Sequence, residues 1–124
     1  MITGGNATIY VTDMDRAVAF YRDTLGLKLA QRFGDHWAEF QVGTSLVVAL
    51  HPKSDKAPPP GTSGAISIGL AIDEPIDEAV GRLRAKGAQF RGPVVRDEQG
   101  GVALAFLGDA DGNDLYLCQV TKSW

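Results

Sequence analysis

Cysteine, histidine and long apolar runs are scarce in this chain. It has one Cys and two His among 124 residues. A single Cys cannot form an internal disulfide, which agrees with a reducing compartment. The apolar runs fall far short of the ~18 residues that cross a bilayer, and the opening MITGGNATIY lacks the basic and apolar regions of a secretory signal. We therefore expect a cytoplasmic protein.

Positive charge is not concentrated anywhere along the chain. The formal net charge is -3, and Lys and Arg form no cluster. Nucleic acid and anionic surfaces are bound by basic patches, so neither nucleic acid nor membrane is an expected partner. A length of 124 residues with 44% hydrophobic content is that of one globular domain, which we expect to span residues 1–124. Small molecules and proteins remain as partners.

The two halves of the chain repeat one another. The segment IYVTDMDRAVAFYRDTLGLKL aligns with LAIDEPIDEAVGRLRAKGAQF at an offset of 61 or 62 residues. In both copies a β-rich segment meets an acidic turn, at Asp13 and at residues 73–74, and these residue types cap helix N-termini. Gly26 and Gly87 then supply the C-terminal caps. Each half therefore predicts a strand followed by a helix.

Apolar residues recur with helical spacing in both predicted helices. The helix-facing sets are Ala17, Phe20, Tyr21 and Leu25 in the first half, and Ile76, Ala79, Val80 and Leu83 in the second. Three β-like runs follow each helix: LKLAQRF, HWAEFQV and SLVVALH, then AQFRGPVV, VALAFL and DLYLCQV. The pattern predicts an α+β fold of two βαβββ modules, residues 1–51 and 65–124. Residues 52–64, rich in Pro, Gly and Ser, are predicted to be an exposed connector.

Strand alternation separates a buried face from an open face. In the first strand of each module the apolar residues of one parity should pack under the helix, which leaves the other parity open. After the turn-forming Asp111-Gly112-Asn113, the same alternation puts Leu115 and Leu117 in the core. The open parity contains Asn6, Thr8, Tyr10, Ser67, Tyr116 and Cys118. These side chains are the first candidates for a binding site.

The motifs V-x-D-x-x-x-A-x-x-F-Y-x-x-x-L-G, in residues 11–26, and DADGNDLYL, in residues 109–117, identify a resemblance. With the paired modules, they resemble the vicinal oxygen chelate superfamily, which includes glyoxalase I, extradiol dioxygenases, fosfomycin resistance enzymes and bleomycin resistance proteins. The resemblance covers essentially the whole chain. It implies a cup-shaped, eight-stranded mixed sheet, commonly completed by a homodimer in small members. Whether the modules pair within one chain or swap between chains stays open.

The resemblance also implies where a divalent metal ion would be held. The family's two His positions fall on Asn6 and Ser67, its Glu position after the closing turn falls on Tyr116, and its fourth position lies near Val47 or Ala49. None of these residues is a good ligand, because divalent ions favour imidazole nitrogen and carboxylate oxygen. We therefore expect no metal and no cofactor.

The remaining reactive residues offer no substitute catalytic site. His36 faces opposite to Glu39 in a regular strand, and His51 is interpreted as a solvated or capping residue at a strand end. Cys118 lacks a cationic neighbour in its strand to form a thiolate, and Asp109 and Asp111 are interpreted as local backbone acceptors. We therefore expect no catalytic residue.

Binding without chemistry is the interpretation that these residues favour. Trp37 and Glu39 share one parity in their strand and add an apolar wall and a carboxylate to the open face. The predicted ligand-binding residues are Asn6, Thr8, Tyr10, Trp37, Glu39, Ser67, Tyr116 and Cys118. The first hypothesis is a metal-independent binder of an aromatic or cationic small molecule, such as an antibiotic. The alternative is a glyoxalase- or dioxygenase-like metalloenzyme, a lyase, isomerase or oxygenase, with an altered metal site.

Overall fold

The computed structural model describes residues 1–122, and its first half is a four-stranded sheet with one helix. The elements are β1 Ala7–Val11, α1 Met14–Ala19, β2 Lys28–Phe33, β3 Trp37–Val42 and β4 Leu46–Pro52. Helix α1 continues into a π-helical turn over Phe20–Thr24. The strand order is β1-β4-β3-β2, in which β1 and β4 are parallel and the other pairs are antiparallel. The first βαβββ module is confirmed.

The second half repeats this arrangement with one difference. Its elements are β5 Ser67–Ile72, α2 Ile76–Ala85, β6 Gln89–Phe90, β7 Val95–Asp97, β8 Val102–Gly108 and β9 Asp114–Val120. The order is β5-β9-β8-β6, and β7 also pairs with β8. The single strand predicted over residues 88–95 is therefore wrong. Gly92, with a φ of +72°, and Pro93, which has no N–H to donate, interrupt it.

The helices pack on the sheet faces that alternation predicts. Ile9 and Val11 of β1 are buried, as are Leu115 and Leu117 of β9. All four predicted core positions of α2 are buried too, and Tyr21 is among the largest fully buried side chains. The α+β fold class is confirmed by these elements and their packing. No helix within residues 1–122 is long and apolar enough to span a bilayer.

The start of α2 differs from its prediction. Asp13 caps α1 as expected, because its carboxylate accepts a hydrogen bond from the Arg16 N–H at 3.0 Å. At α2, however, the N-cap residue is Pro75 rather than one of the acidic residues before it. The Ile76 N–H donates instead to the side-chain oxygen of Gln119, at 2.9 Å. A side chain from β9 therefore replaces the local cap.

The closing turn, residues 109–113, joins the two modules. The Asp109 carboxylate accepts hydrogen bonds from the Tyr21 hydroxyl at 2.7 Å and from the backbone N–H groups of Asp111 and Asn113. The Asn113 side-chain amide donates to Asp109 and also to the Tyr10 carbonyl oxygen of β1. Asp109 is thus a local acceptor, as predicted, and a link to the π-helical turn after α1 as well.

Candidate functional site

Three rings lie side by side on the open face of the first sheet, the face turned away from α1. The ring centroids of Tyr10 and His51 are 5.1 Å apart, and those of Trp37 and His51 are 6.3 Å apart in an edge-on arrangement. We call these three residues the aromatic row. His51 Nδ1 lies 2.6 Å from the Pro52 carbonyl oxygen, which can only accept, so Nδ1 carries the proton. Nε2 is then the ring nitrogen left to contact a ligand.

His51 corrects the sequence interpretation of a solvated or capping residue. It is half-buried and occupies the middle of the row, because the parallel pairing of β1 with β4 places it opposite Tyr10. A signal for this position existed in the sequence. Val47, Ala49 and His51 share one parity in β4, so His51 lies on the same face as the fourth metal position that the resemblance implies near Val47 or Ala49.

A carboxylate beside the row is held in its ionised form. Glu39 accepts hydrogen bonds from Gln31 Nε2 and from Trp37 Nε1, both at 2.9 Å. These two donors, Gln31 first and Trp37 second, lower the pKa of Glu39 below its usual range. The bond to Glu39 also fixes the orientation of the indole ring. Gln31, which the sequence interpretation missed, is the cross-strand partner of Glu39.

The remaining predicted residues of the first module lie on the same open face. Thr8 pairs with Ala49 of β4, and Ala49 pairs with Glu39 of β3, which puts all three in one row across the sheet. The Thr8 hydroxyl donates to the Asn6 side-chain oxygen at 2.9 Å. Asn6, Thr8, Tyr10, Trp37 and Glu39 are thus brought together.

The other three predicted residues lie on the second sheet. Ser67 pairs with Asp114, and Cys118 is half-buried between Ala71 and Leu104 in register. Tyr116 pairs with Gly69 on one side and with Phe106 on the other. The Tyr116 ring lies across Gly69, because a Cβ there would be 2.5 Å from the ring and hydroxyl atoms. Tyr116 and Phe106 have ring centroids 5.8 Å apart, which makes a second aromatic surface.

The positions where relatives would hold a metal do not fit one. The Asn6 side-chain oxygen already accepts a hydrogen bond from Thr8, and the Tyr116 phenol lies over Gly69. The Ala49 side chain has no atom that could bind a metal ion. Within residues 1–122 no group of three or more His, Cys, Asp or Glu side chains is placed to bind one ion. His36 lies in the turn before β3, whereas Glu39 lies in β3 itself, on the open face. The absence of a resident metal stays a prediction.

Two of the predicted residues line a cavity. Thr8 and Tyr10 form one wall of a space of about 140 Å³, and Pro58, Pro59 and Pro60 of the connector form another. A further cavity of about 450 Å³ contains none of the predicted residues, and its carboxylates are engaged in the closing turn. The smaller cavity therefore adjoins the aromatic row at Tyr10.

The family follows from a sequence comparison. Residues 5–117 match the model of the Glyoxalase/Bleomycin resistance protein/Dioxygenase superfamily. The chain belongs to this superfamily. The superfamily match runs from the residues before β1 into β9 and includes the connector, and it confirms the resemblance carried by the sequence motifs. No curated protein matches the chain significantly.

Solved structures with the superfamily fold are similar over almost the whole chain. TnmS3, an antibiotic binding protein from Streptomyces sp. CB03234, is 26% identical with a TM-score of 0.77, over 97% of each chain. Lactoylglutathione lyase from Agrobacterium tumefaciens is 21% identical with a TM-score of 0.73, over 94% of this chain and 92% of that one. The fosfomycin resistance protein FosX from Listeria monocytogenes is 20% identical with a TM-score of 0.73, over 96% and 94%.

Proposed function

We propose that this superfamily member is a metal-independent small-molecule-binding protein that holds an aromatic or cationic compound, such as an antibiotic, without transforming it. The observation that carries the proposal is the aromatic row with an ionised carboxylate beside it. Three rings, Tyr10, His51 and Trp37, lie on an open sheet face, and Glu39 is bonded to the last of them.

The physical basis of recognition is stacking combined with charge. Aromatic faces carry negative electrostatic potential and favour planar or cationic ligands. The Glu39 carboxylate adds a negative charge next to Trp37, and the Nε2 of His51 adds a ring nitrogen that can contact a ligand. Tyr116 and Cys118, on the open face of the second sheet, are the opposite wall of the cup in this proposal. TnmS3, an antibiotic binding protein, supports it as a similar protein.

A homodimer in the cytoplasm completes the proposal. Three apolar side chains of the second sheet are exposed, Val95 at 46%, Phe106 at 40% and Val120 at 64%. Exposed apolar residues grouped on one sheet are typical of an interface. We expect light scattering at micromolar concentration to give twice the chain mass, and a monomer would contradict this part.

Trp37 provides a direct reporter of binding. The chain has two tryptophans, so a Trp124→Phe background leaves Trp37 as the single one. We expect ethidium and bleomycin, used as aromatic cationic probes, to quench its fluorescence saturably and to raise the melting temperature by mass action. Trp37→Phe should keep part of the affinity, and Trp37→Ala should lose about tenfold. If neither probe nor any member of a wider antibiotic panel binds, the proposal is contradicted.

The role of Glu39 has its own pH signature. The pKa of Glu39 is lowered from 4.5. The carboxylate of the folded protein therefore stays charged as the pH falls to 4.5 and is protonated only at lower pH. The ratio of the ethidium Kd of Glu39→Gln to that of the parent should therefore stay constant from about pH 7 to about pH 5 and decline below, because every other titrating group is common to both proteins. This ratio should be about five at pH 7, whereas the matched Glu98→Gln, in an exposed turn, should leave the ethidium Kd nearly unchanged.

The contrary outcome is the metalloenzyme alternative. Elemental analysis of the purified protein separates the two functions, since the proposal predicts far less than one divalent ion per chain. A stoichiometric ion together with turnover that disappears on chelation would establish an altered glyoxalase- or dioxygenase-type enzyme instead.

A further inference from the structure

The connector is tied to the site at specific points. The Gly61 N–H donates to the Asn113 side-chain oxygen at 2.8 Å, and the Gly64 N–H donates to the Asp114 carboxylate at 3.0 Å. The Asn113 amide in turn donates to the Tyr10 carbonyl oxygen at 3.1 Å. One side chain, 3% exposed, therefore fixes the connector relative to the strand that contributes Tyr10.

Gly61 has the closest approach in the connector. Its φ is +84°, and a Cβ there would overlap the Asp111 carbonyl oxygen of the closing turn. Gly64 has a similar φ of +79°, but a Cβ at that position would meet nothing within 4 Å. The close contact at Gly61 places Pro58–Pro60, just before it, against β1.

The space has the size and lining of a site for one ring. Its volume is about 140 Å³, with walls from Thr8, Tyr10, the three prolines, Ala65, Ile66 and Asn113. An engineered cavity of about 150 Å³ with apolar walls binds benzene, whereas a whole drug-sized ligand needs roughly 300 Å³ or more. Proline rings present flat apolar surfaces, and Tyr10 faces them across the space.

We propose that this cavity is a subsite for a single planar ring of the ligand, that the connector forms its outer wall, and that the contacts of Gly61 with Asn113 and Asp111 hold that wall in place. The inference rests on the proposed function, because Tyr10 is shared: its ring contacts His51 in the aromatic row and lines the cavity. A ligand stacked on the row extends past Tyr10 to insert one ring under the prolines.

Phenol is the probe for the subsite, and chelator-treated protein is titrated with it in ¹H–¹⁵N NMR. Saturable shifts are expected at the amides of Thr8, Tyr10, Ala65 and Ile66, with a Kd on the order of 1 mM for so small a ligand. Ala65→Phe fills the cavity and should raise the Kd at least about tenfold. The matched Ala85→Phe, at an exposed position of α2 that does not line the cavity, should change it less than about twofold.

The positioning role is tested by a second matched pair. Gly61→Ala and Gly64→Ala impose the same strain of a positive φ, but only the first also displaces the connector from Asp111. We expect Gly61→Ala to weaken phenol binding about tenfold while ethidium still quenches Trp37, and Gly64→Ala to leave both nearly unchanged. Melting curves of both variants verify that they are folded.

The outcomes separate this inference from the proposed function. Absence of saturable phenol shifts at these amides, equal losses in the two glycine variants, or no effect of Ala65→Phe would overturn the subsite. Ethidium binding at Trp37 would stand in each of those cases. A stoichiometric metal with metal-dependent turnover would overturn the proposed function, and phenol binding to the chelator-treated protein would still establish the cavity.

Discussion

Removal of the Tyr21 hydroxyl tests the link between the two modules. Tyr21→Phe deletes the hydrogen bond to the Asp109 carboxylate, which is 2.7 Å long and joins side chains that are 1% and 8% exposed. Hydrogen bonds to charged groups contribute about 1.5–3 kcal/mol. Asp109 keeps three N–H donors after the change, so we expect the lower part of that range, about 1.5–2 kcal/mol. Urea denaturation measures this as a shift of the midpoint by roughly 1 M at an unchanged slope.

Alkaline pH gives an independent signature of the same contact. Burial, followed by the charge of Asp109, raises the pKa of Tyr21 well above 10.0. The folded protein therefore retains a proton that the unfolded chain releases near pH 10, so this contribution to stability is complete below pH 10 and declines as pH rises further. The decline reaches at most about 1.4 kcal/mol per pH unit.

The difference between parent and variant isolates the contribution of Tyr21. Tyr21→Phe should lack this part of the alkaline decline. Tyr116→Phe, the same change on the open face of the second sheet, should keep it and cost under about 0.5 kcal/mol. Equal effects of the two substitutions, or an unchanged alkaline slope in Tyr21→Phe, would refute the reasoning.

Three further substitutions have defined outcomes. Gln119→Ala removes the acceptor for the Ile76 N–H and should lower the free energy of unfolding by about 1 kcal/mol in urea, whereas Gln119→Glu should largely keep it. Tyr116→Ala should weaken ethidium binding, measured by calorimetry, by on the order of 1 kcal/mol without unfolding the chain. The triple replacement Asn6→His, Ser67→His and Tyr116→Glu should gain weak zinc or nickel affinity by calorimetry. A parent that already binds either ion tightly and loses it in the triple variant would contradict the strand register.

The periodicity of the sequence predicts the modules because burial follows it directly. Ile9 and Val11 alternate with Thr8 and Tyr10 in β1, and the structure buries the first pair and leaves the second half-exposed. Side-chain direction alternates strictly in a strand, so parity alone decides which face a residue occupies. The placement of Trp37 on the open face follows in the same way.

Long-range contacts are beyond what periodicity can predict. Asn113 and Gly61 are 52 residues apart, and Gln119 caps a helix 43 residues before it. Both contacts depend on how elements pack rather than on local propensity. Local propensity therefore predicts an acidic cap at Asp73-Glu74, whereas the structure has Pro75 at that position and the contact from Gln119. The short strands around Gly92 had a visible cause in the sequence, since a Gly-Pro pair interrupts strands.

The most direct test of metal-independent binding is a titration with ethidium in buffer with and without EDTA. Binding is monitored by the fluorescence of Trp37 in the Trp124→Phe background. We expect saturable quenching with the same Kd in both buffers, because in the proposed function the aromatic row and Glu39 form the site without an ion. A Kd that rises severalfold in EDTA and recovers when a divalent ion is restored would contradict it.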